Sequence, residues 1–104
     1  MTVFQLSFYI PNDKCEAVKL ALFEAGAGKL GNYEHCSWQT HGVGQFKPLS
    51  GSQPFIGKHD KLETVDEIKV EMLCVEQHIE KAIKALKKHH PYEEVAYFVT
   101  KSNY

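Results

Sequence analysis

The chain has 104 residues, of which 43% are hydrophobic. This is enough apolar material for one core and too short a chain for two domains of ordinary size. Its 12 basic and 13 acidic residues leave a net charge of -1, so no long-range field would attract nucleic acid or an anionic membrane. No stretch resembles a membrane span, and residues 1–10 lack a signal-peptide pattern. We therefore expect one cytoplasmic domain whose partners include neither nucleic acid nor membrane.

The three cysteines, Cys15, Cys36 and Cys74, are an odd number and fall on three different predicted elements. None belongs to a C-x-x-C pair that would close a zinc knuckle. This pattern favours free thiols in a reducing compartment, which agrees with a cytoplasmic location.

A strand followed directly by a helix is predicted for the first part of the chain. Residues 3–10 are dense in β-branched and aromatic side chains, and Pro11 stops the strand before the helix-capping side chains of Asn12 and Asp13. From Asp13 the apolar period becomes helical, and Gly26 marks the end of the helix. Its apolar stripe consists of Val18, Ala21, Leu22 and Ala25.

Residues 33–46 are predicted to form a long, irregular second strand. Gly42 and Gly44 weaken it and indicate either a β-bulge or the close approach of another group to the backbone. Residues 49–54 read as an exposed turn or loop, and residues 58–61 are a charged patch without apolar periodicity. We expect this loop region to be the most mobile part of the chain.

The third strand lies within residues 63–76, because apolar and charged side chains alternate there. The alternating residues are Glu67, Ile68, Lys69, Val70, Glu71 and Met72. A second helical stripe follows, with lysines outside it, and Pro91 ends that helix. This stripe consists of Ile79, Ala82, Ile83 and Leu86. Residues 95–100 supply the fourth strand.

The resulting order, β-α-β-β-α-β, is the ferredoxin-like α+β arrangement, in which four antiparallel strands carry both helices on one face. The other face of the sheet is left uncovered. Four large side chains, Phe4, Tyr9, Trp38 and Tyr97, cannot all point toward the helices. An open apolar sheet face usually marks association, so we expect a homo-oligomer.

Five separated motifs give the chain a family resemblance. They are AGAGKLGNYEHCSW (25–38), GVGQFKP (42–48), PFIG (54–57), EIKVE (67–71) and HPYEE (90–94). In this order they resemble the inserted PII-like or CutA-like domain of bacterial NIF-three-like (NGG-interacting-factor-like) proteins, over nearly the whole chain. The last motif, which enters the fourth strand, is also similar to the CutA family, which shares the fold.

The resemblance implies fold and association, without catalysis. In the long members, hydrolase-like chemistry belongs to flanking halves that carry a two-metal site, and the present chain spans neither half. Because PII and CutA relatives are typically trimers, the resemblance implies a trimer ahead of a dimer. It also draws attention to residues 49–57, since PII-type regulators contact nucleotides and target proteins through the corresponding loop.

Five side chains are candidate ligands for zinc or copper: His35, Cys36, His41, Glu71 and His90. On a straight strand His35 and His41 would share one face while Cys36 points to the other, so a bulge at the neighbouring glycines would be needed to bring all three together. The alternative interpretation is that Cys36 belongs to the core and the histidines make structural hydrogen bonds. A complete site also requires the fold to bring Glu71 and His90 to the same place.

The HPYEE motif has two interpretations. Pro91 ends the second helix and Tyr92 can pack while its hydroxyl finds a polar partner, which is a purely structural role. Alternatively, His90 and Glu93 recognise a ligand or bind a metal at a subunit boundary.

Two further groups of residues are open to interpretation. The segment Ser50-Gly51-Ser52 could present backbone N–H groups to an anion, or it could be an ordinary flexible loop; no Walker pattern is present. Glu67 and Glu71 face the same side of a strand about 13 Å apart, too far for a glycosidase-like carboxylate pair. Lysines or a neighbouring subunit are their expected partners.

These observations favour a non-enzymatic, oligomeric binding or regulatory module that recognises a small ligand or a protein partner at clefts between subunits. The alternative hypothesis is a divalent-metal binding protein of the CutA type, holding zinc or copper. A small hydrolase is a third hypothesis, which requires a deep pocket and a residue whose pKa is displaced by burial and a charged neighbour.

Overall fold

The sheet and its two helices follow the predicted order. The computed structural model describes residues 1–104. Its elements are β1 (Val3–Pro11), a short 3-10 turn (Asn12–Lys14), α1 (Cys15–Glu24), β2 (Trp38–Phe46), β3 (Glu63–Val75), α2 (Glu76–His89) and β4 (Tyr97–Lys101). The strands lie in the order β2-β3-β1-β4, and each neighbouring pair is antiparallel. The ferredoxin-like α+β fold is therefore confirmed. Neither helix has the length and apolar composition to cross a lipid bilayer.

The core lies between one face of the sheet and both helices. On β1 and β3 every second side chain enters it, because successive side chains of a strand point to opposite faces. The buried side chains include Leu6, Phe8 and Ile10 from β1, Ile68, Val70, Met72 and Cys74 from β3, Cys15, Val18 and Leu22 from α1, and Ile79, Ala82 and Leu86 from α2. Burying a large side chain of this kind contributes roughly 1.5–3 kcal/mol, so this face holds the fold together. The predicted alternation in the third strand is confirmed.

The two ends of α1 differ from each other in how their backbone groups are satisfied. No side chain caps its beginning, so the predicted capping by Asn12 or Asp13 is wrong. The preceding 3-10 turn ties the chain instead, with the Cys15 N–H donating to the Asn12 carbonyl. At the other end Gly26, with φ of +109°, closes the helix as predicted. The Ala27 N–H then donates to the Leu22 carbonyl at 3.0 Å, as in a Schellman motif.

The second strand is shorter and more regular than predicted. Residues 30–36 turn instead of extending, and His35 has a φ of +57°. The pairing of β2 with β3 then runs without interruption from Trp38 opposite Glu71 to Phe46 opposite Glu63. The predicted bulge is therefore wrong, whereas the predicted close approach is right at Gly44, where a Cβ atom would overlap the carboxylate of Glu67.

The sheet face turned away from the helices carries exposed aromatic side chains. The strand register places Trp38, Glu71, Ser7 and Phe98 in one row across this open face. Trp38 is 59% exposed and Phe98 is 56% exposed. Phe4 and Tyr97, by contrast, pack against the core. Some large side chains thus remain uncovered within one protomer, as the sequence predicts.

Candidate functional site

A cleft of about 530 Å³ lies at one end of the open sheet face. Three parts of the chain form it: the ends of β2 and β3, the loop of residues 47–57, and the segment of residues 91–96 between α2 and β4. Its apolar wall includes Phe46, Pro48, Phe55 and Ile56. A cleft of this size and composition is typical of small-molecule sites.

Tyr92 lies at the centre of the cleft wall. Its hydroxyl donates a hydrogen bond to Glu67 Oε2 at 2.7 Å, and its ring lies 6.5 Å from that of Phe46 and 6.4 Å from that of Phe55, between centroids. Burial, then the hydrogen bond to Glu67 and the negative charge of that residue, raise the pKa of Tyr92 well above its usual value. The phenol therefore stays protonated and donates at neutral pH.

The Glu67 carboxylate can lie beside Tyr92 because the neighbouring residue in β2, Gly44, has no side chain. Both residues of the pair come from distant parts of the chain, and the carboxylate of Glu67 lies over Gly44 in β2. Any larger side chain at that position would force the carboxylate to move. Gly44 is thus explained by the space that the Glu67 carboxylate occupies and not by a bulge.

His90 holds the segment of residues 91–96 against the sheet. Its Nε2–H donates to the Tyr9 carbonyl at 2.7 Å, and its Nδ1 accepts from the Tyr92 N–H at 3.1 Å. Burial lowers the pKa of His90, although the Tyr9 carbonyl and the charge of Glu67 act in the opposite direction. The ring is therefore neutral with both nitrogens occupied. Within one protomer the two hydrogen bonds leave no lone pair on His90 for a metal ion, which is evidence against its predicted role as a metal ligand.

Hydrogen bonds hold the loop of residues 47–57 in place, among them one from the Asp60 N–H to the Pro48 carbonyl at 2.6 Å. The Gln53 N–H donates to Glu93 Oε2 at 2.9 Å, which ties the loop to the segment after α2. His59 Nε2 donates to the Ser52 carbonyl at 2.8 Å, which ties the two arms of the loop to each other. Glu93, a predicted ligand-binding residue, thus lines the cleft and also holds its cover in place.

The predicted anion site in the loop loses one of its donors. Both the N–H and the Oγ of Ser52 donate to the Leu49 carbonyl, at 3.1 Å and 2.7 Å. Ser50 and Gly51 are exposed at the tip of this turn. Because the Ser52 amide is already used within the turn, the geometry favours the alternative interpretation of this segment as an ordinary loop.

The residues predicted to bind metal around β2 do not converge. His35 precedes the strand and stacks on the Phe23 ring at 4.7 Å, so its assignment to one strand face with His41 is wrong. His41 is exposed in β2 opposite Ile68. Cys36 is half-buried in the preceding turn, and its Sγ contacts a backbone carbonyl at 3.8 Å.

Glu71 lines a second, smaller cleft together with Cys36, but neither His35 nor His41 lines that cleft. It accepts a hydrogen bond from Gln5 and is 4.0 Å from the Lys69 ammonium, which agrees with its predicted lysine partner. Within one protomer no three His, Cys, Asp or Glu side chains form a group that could hold a metal ion. A zinc or copper site would need side chains from more than one subunit, and that site stays a prediction.

Several residues of the cleft were missed by the sequence reasoning. The expected partner of Glu67 was a lysine or a neighbouring subunit, but within the protomer its partner is Tyr92. Phe46 and Phe55 were not singled out, although they flank Tyr92. The only local signal was the glycine at position 44, which indicated a close approach without identifying the group that approaches.

Comparison with known proteins shows that the chain is similar to one part of longer proteins. Over 94 residues it is 48% identical to the "GTP cyclohydrolase 1 type 2 homolog" of Bacillus subtilis, covering 89% of this chain and 25% of that protein. A protein of the same name from Mycobacterium tuberculosis is 43% identical over 89 residues, covering 86% and 24%. The chain thus spans about a quarter of the length of the curated relatives it matches. No protein-family model matches it.

Solved structures show the same relationship. A Bacillus cereus protein related to NIF3 superposes with a TM-score of 0.84 and 36% identity, over 99% of this chain and 26% of that one. CutA from Xylella fastidiosa superposes with a TM-score of 0.69 and 20% identity, over 98% and 85%. The predicted resemblance to a domain of NIF-three-like proteins is confirmed, and the second match shows that CutA shares the fold.

Proposed function

We propose that this chain is a non-catalytic binding module of the cytoplasm that works as a homo-oligomer, with a trimer favoured over a dimer. Its cleft would recognise a small ligand or a protein partner near a subunit boundary. The observation that carries the proposal is the cleft itself, an apolar cavity of about 530 Å³ whose covering loop is hydrogen-bonded to the segment that forms the opposite wall.

The groups around the cleft favour binding over catalysis, although one requirement of the hydrolase hypothesis is met. Burial and the neighbouring Glu67 displace the pKa of Tyr92, but the displacement is upward, away from neutral pH. The Ser52 hydroxyl donates to a backbone carbonyl, His90 is neutral with both nitrogens occupied, and Tyr92 is held protonated. Acid–base catalysis needs a group that can exchange a proton with the substrate near neutral pH. The name that the relatives carry describes proteins about four times as long, so the cyclohydrolase activity in that name is not assigned to this chain.

The open sheet face supports association. Trp38 and Phe98 are more than half exposed on it, and Leu73 and Val75 are half-buried beside them. Aromatic side chains bury 150–250 Å² each when covered, so a second copy would remove a large apolar area from water. The choice of a trimer comes from the resemblance to PII and CutA proteins.

Light scattering at micromolar concentration tests the association. We expect a mass of about 35 kDa, three times the 11.8 kDa of one chain. The double variant Trp38→Ser/Phe98→Ser should shift the mass toward that of one chain. Leu20→Ser is the matched control, because Leu20 is 48% exposed on α1, away from the open face. A wild-type mass of one chain would contradict the oligomer.

A ligand panel followed by thermal unfolding tests the cleft. A compound that binds there should raise the melting temperature of the wild type and of Leu62→Ser, since Leu62 is exposed outside the cleft. The rise should be lost in Phe55→Ser, because that ring lines the cleft. A rise that persists in Phe55→Ser would locate binding elsewhere and contradict the proposal.

A further inference from the structure

The cleft carries more negative than positive charge. Three carboxylates line it, from Glu67, Glu93 and Glu94, against the single basic side chain of Lys47. The chain has two ion pairs, and both lie outside the cleft: Lys19 with Glu16 at 3.1 Å, and Lys69 with Glu71 at 4.0 Å. No basic side chain of the protomer therefore forms an ion pair with a carboxylate of the cleft, and Lys47 offsets only one of the three negative charges.

Glu67 is the best placed of these carboxylates. It is half-buried, and Oε2 accepts the hydrogen bond of Tyr92. The other oxygen, Oε1, lies over Gly44, where no side chain stands in the way, and makes no hydrogen bond within the chain. This oxygen is therefore available to a bound cation, which would pair with the charge of the carboxylate.

The aromatic side chains of the cleft also attract cations. The rings of Phe46 and Phe55 both lie near the ring of Tyr92, at centroid separations of 6.5 Å and 6.4 Å. Phe55 is 51% exposed, so its ring is open to an incoming group. A cation within about 6 Å of a ring centroid is attracted by the negative face of the ring. Aromatic rings beside carboxylates therefore select for an organic cation.

We propose that the cleft binds a small organic cation, an ammonium or guanidinium compound, between the Glu67 carboxylate and the rings of Phe46, Phe55 and Tyr92. The inference rests on the proposed function and adds the chemical class of the ligand. A volume of about 530 Å³ suits a small molecule. A metal ion is disfavoured because no three acidic, histidine or cysteine side chains converge there. An anion is disfavoured by the charge of the lining.

Choline and its uncharged isostere 3,3-dimethylbutan-1-ol form a matched pair of probes, because they differ chiefly in the charge of one atom. Each is titrated into the full chain while amide chemical shifts are followed by NMR. We expect choline to shift the amides of Gln53, Phe55 and Tyr92 in a saturable manner, with a Kd about tenfold lower than that of the alcohol. Equal Kd values for the two probes would overturn the inference.

Two variants on the same strand complete the test. Glu67→Gln keeps an acceptor for the Tyr92 hydroxyl but removes the charge, and should weaken choline binding about tenfold. Glu71→Gln lies on the same sheet face outside the cleft and should leave the Kd unchanged. Unchanged binding in Glu67→Gln would overturn the inference.

Further probes distinguish a small-molecule cation from a protein side chain, and failure of the cation proposal from failure of the binding-module proposal. Nα-acetyl-lysine amide, which presents a lysine side chain as in a protein, should bind no tighter than choline. Much tighter binding would favour a protein side chain as the ligand and overturn the small-molecule assignment. If glutamate or inorganic phosphate shifts the same amides while choline does not, the cation fails and the binding module stands. If a compound identified in the ligand panel still stabilises Phe55→Ser and no probe shifts these amides, both proposals fail.

Discussion

The histidines of the two segments 35–41 and 90–94 differ in burial and in hydrogen bonding. In the first, the histidines are exposed, and neither forms a hydrogen bond with another element. In the second, His90 is 6% exposed and joins the end of β1 to the wall of the cleft. The number of potential metal ligands in a short segment therefore did not indicate a site, whereas hydrogen bonds between distant elements did.

The replacement of His90 should have the largest effect. In His90→Ala the Tyr9 carbonyl and the Tyr92 N–H lose their partner, and the contact with the Phe8 ring is lost. We expect the free energy of unfolding to fall by about 3 kcal/mol in urea denaturation. His41→Ala should change it by less than about 0.5 kcal/mol. Similar losses in the two variants would remove the contrast between the segments.

The two glycines of β2 offer a closer comparison. In Gly44→Ala the new methyl group would displace the Glu67 carboxylate and break its bond to Tyr92, which should cost about 1.5 kcal/mol in the same denaturation experiment. In Gly42→Ala nothing lies within 4 Å of the new atom, so the change should stay within about 0.5 kcal/mol. An equal cost at both positions would show that strand propensity, and not the site, explains Gly44.

The pH dependence of stability should also single out His90. Its pKa is lowered in the folded state from an ordinary value of 6.5. The unfolded chain therefore binds the proton first as the pH falls through 6.5, and the free energy of unfolding decreases. Denaturation at a series of pH values should give a shallower decrease in His90→Gln than in the wild type. His41→Ala should retain the wild-type slope; a wild-type slope in His90→Gln would contradict the assignment.

The smallest effect is expected from metal ions. No metal-binding group forms within one protomer, so zinc or copper should leave the melting temperature nearly unchanged, equally in the wild type and in His35→Ala/His41→Ala. A site shared between subunits would instead stabilise the wild type by about 2.7 kcal/mol at 100 times its Kd. Such a rise, absent from the double variant, would support the metal hypothesis.

Much of the fold could be predicted because its signals are local. The alternation of Ile68, Val70 and Met72 with charged residues defined β3, and the stripe from Ile79 to Leu86 defined α2. The errors came where tertiary contacts override local preference. Residues 33–37 look like a strand but form a turn, and the beginning of α1 uses a 3-10 turn in place of a side-chain cap.

The candidate site was predicted only in part. Glu93 was identified from its motif and does line the cleft. Glu67 and the two phenylalanines were not identified, because their role depends on which ring or hydroxyl lies opposite them. Tyr92 was expected to find a polar partner, and the partner is 25 residues away along the chain.

By itself the sequence determined the order of strands and helices, the buried face of the sheet and the existence of an uncovered face, because these depend on periodicity and composition. Only the tertiary structure decided that Glu67, Tyr92 and the loop meet in one cleft while His35, Cys36 and His41 stay apart. The physical reason is that strand register and the path of the loop determine which side chains face each other, and neither is encoded by any short segment.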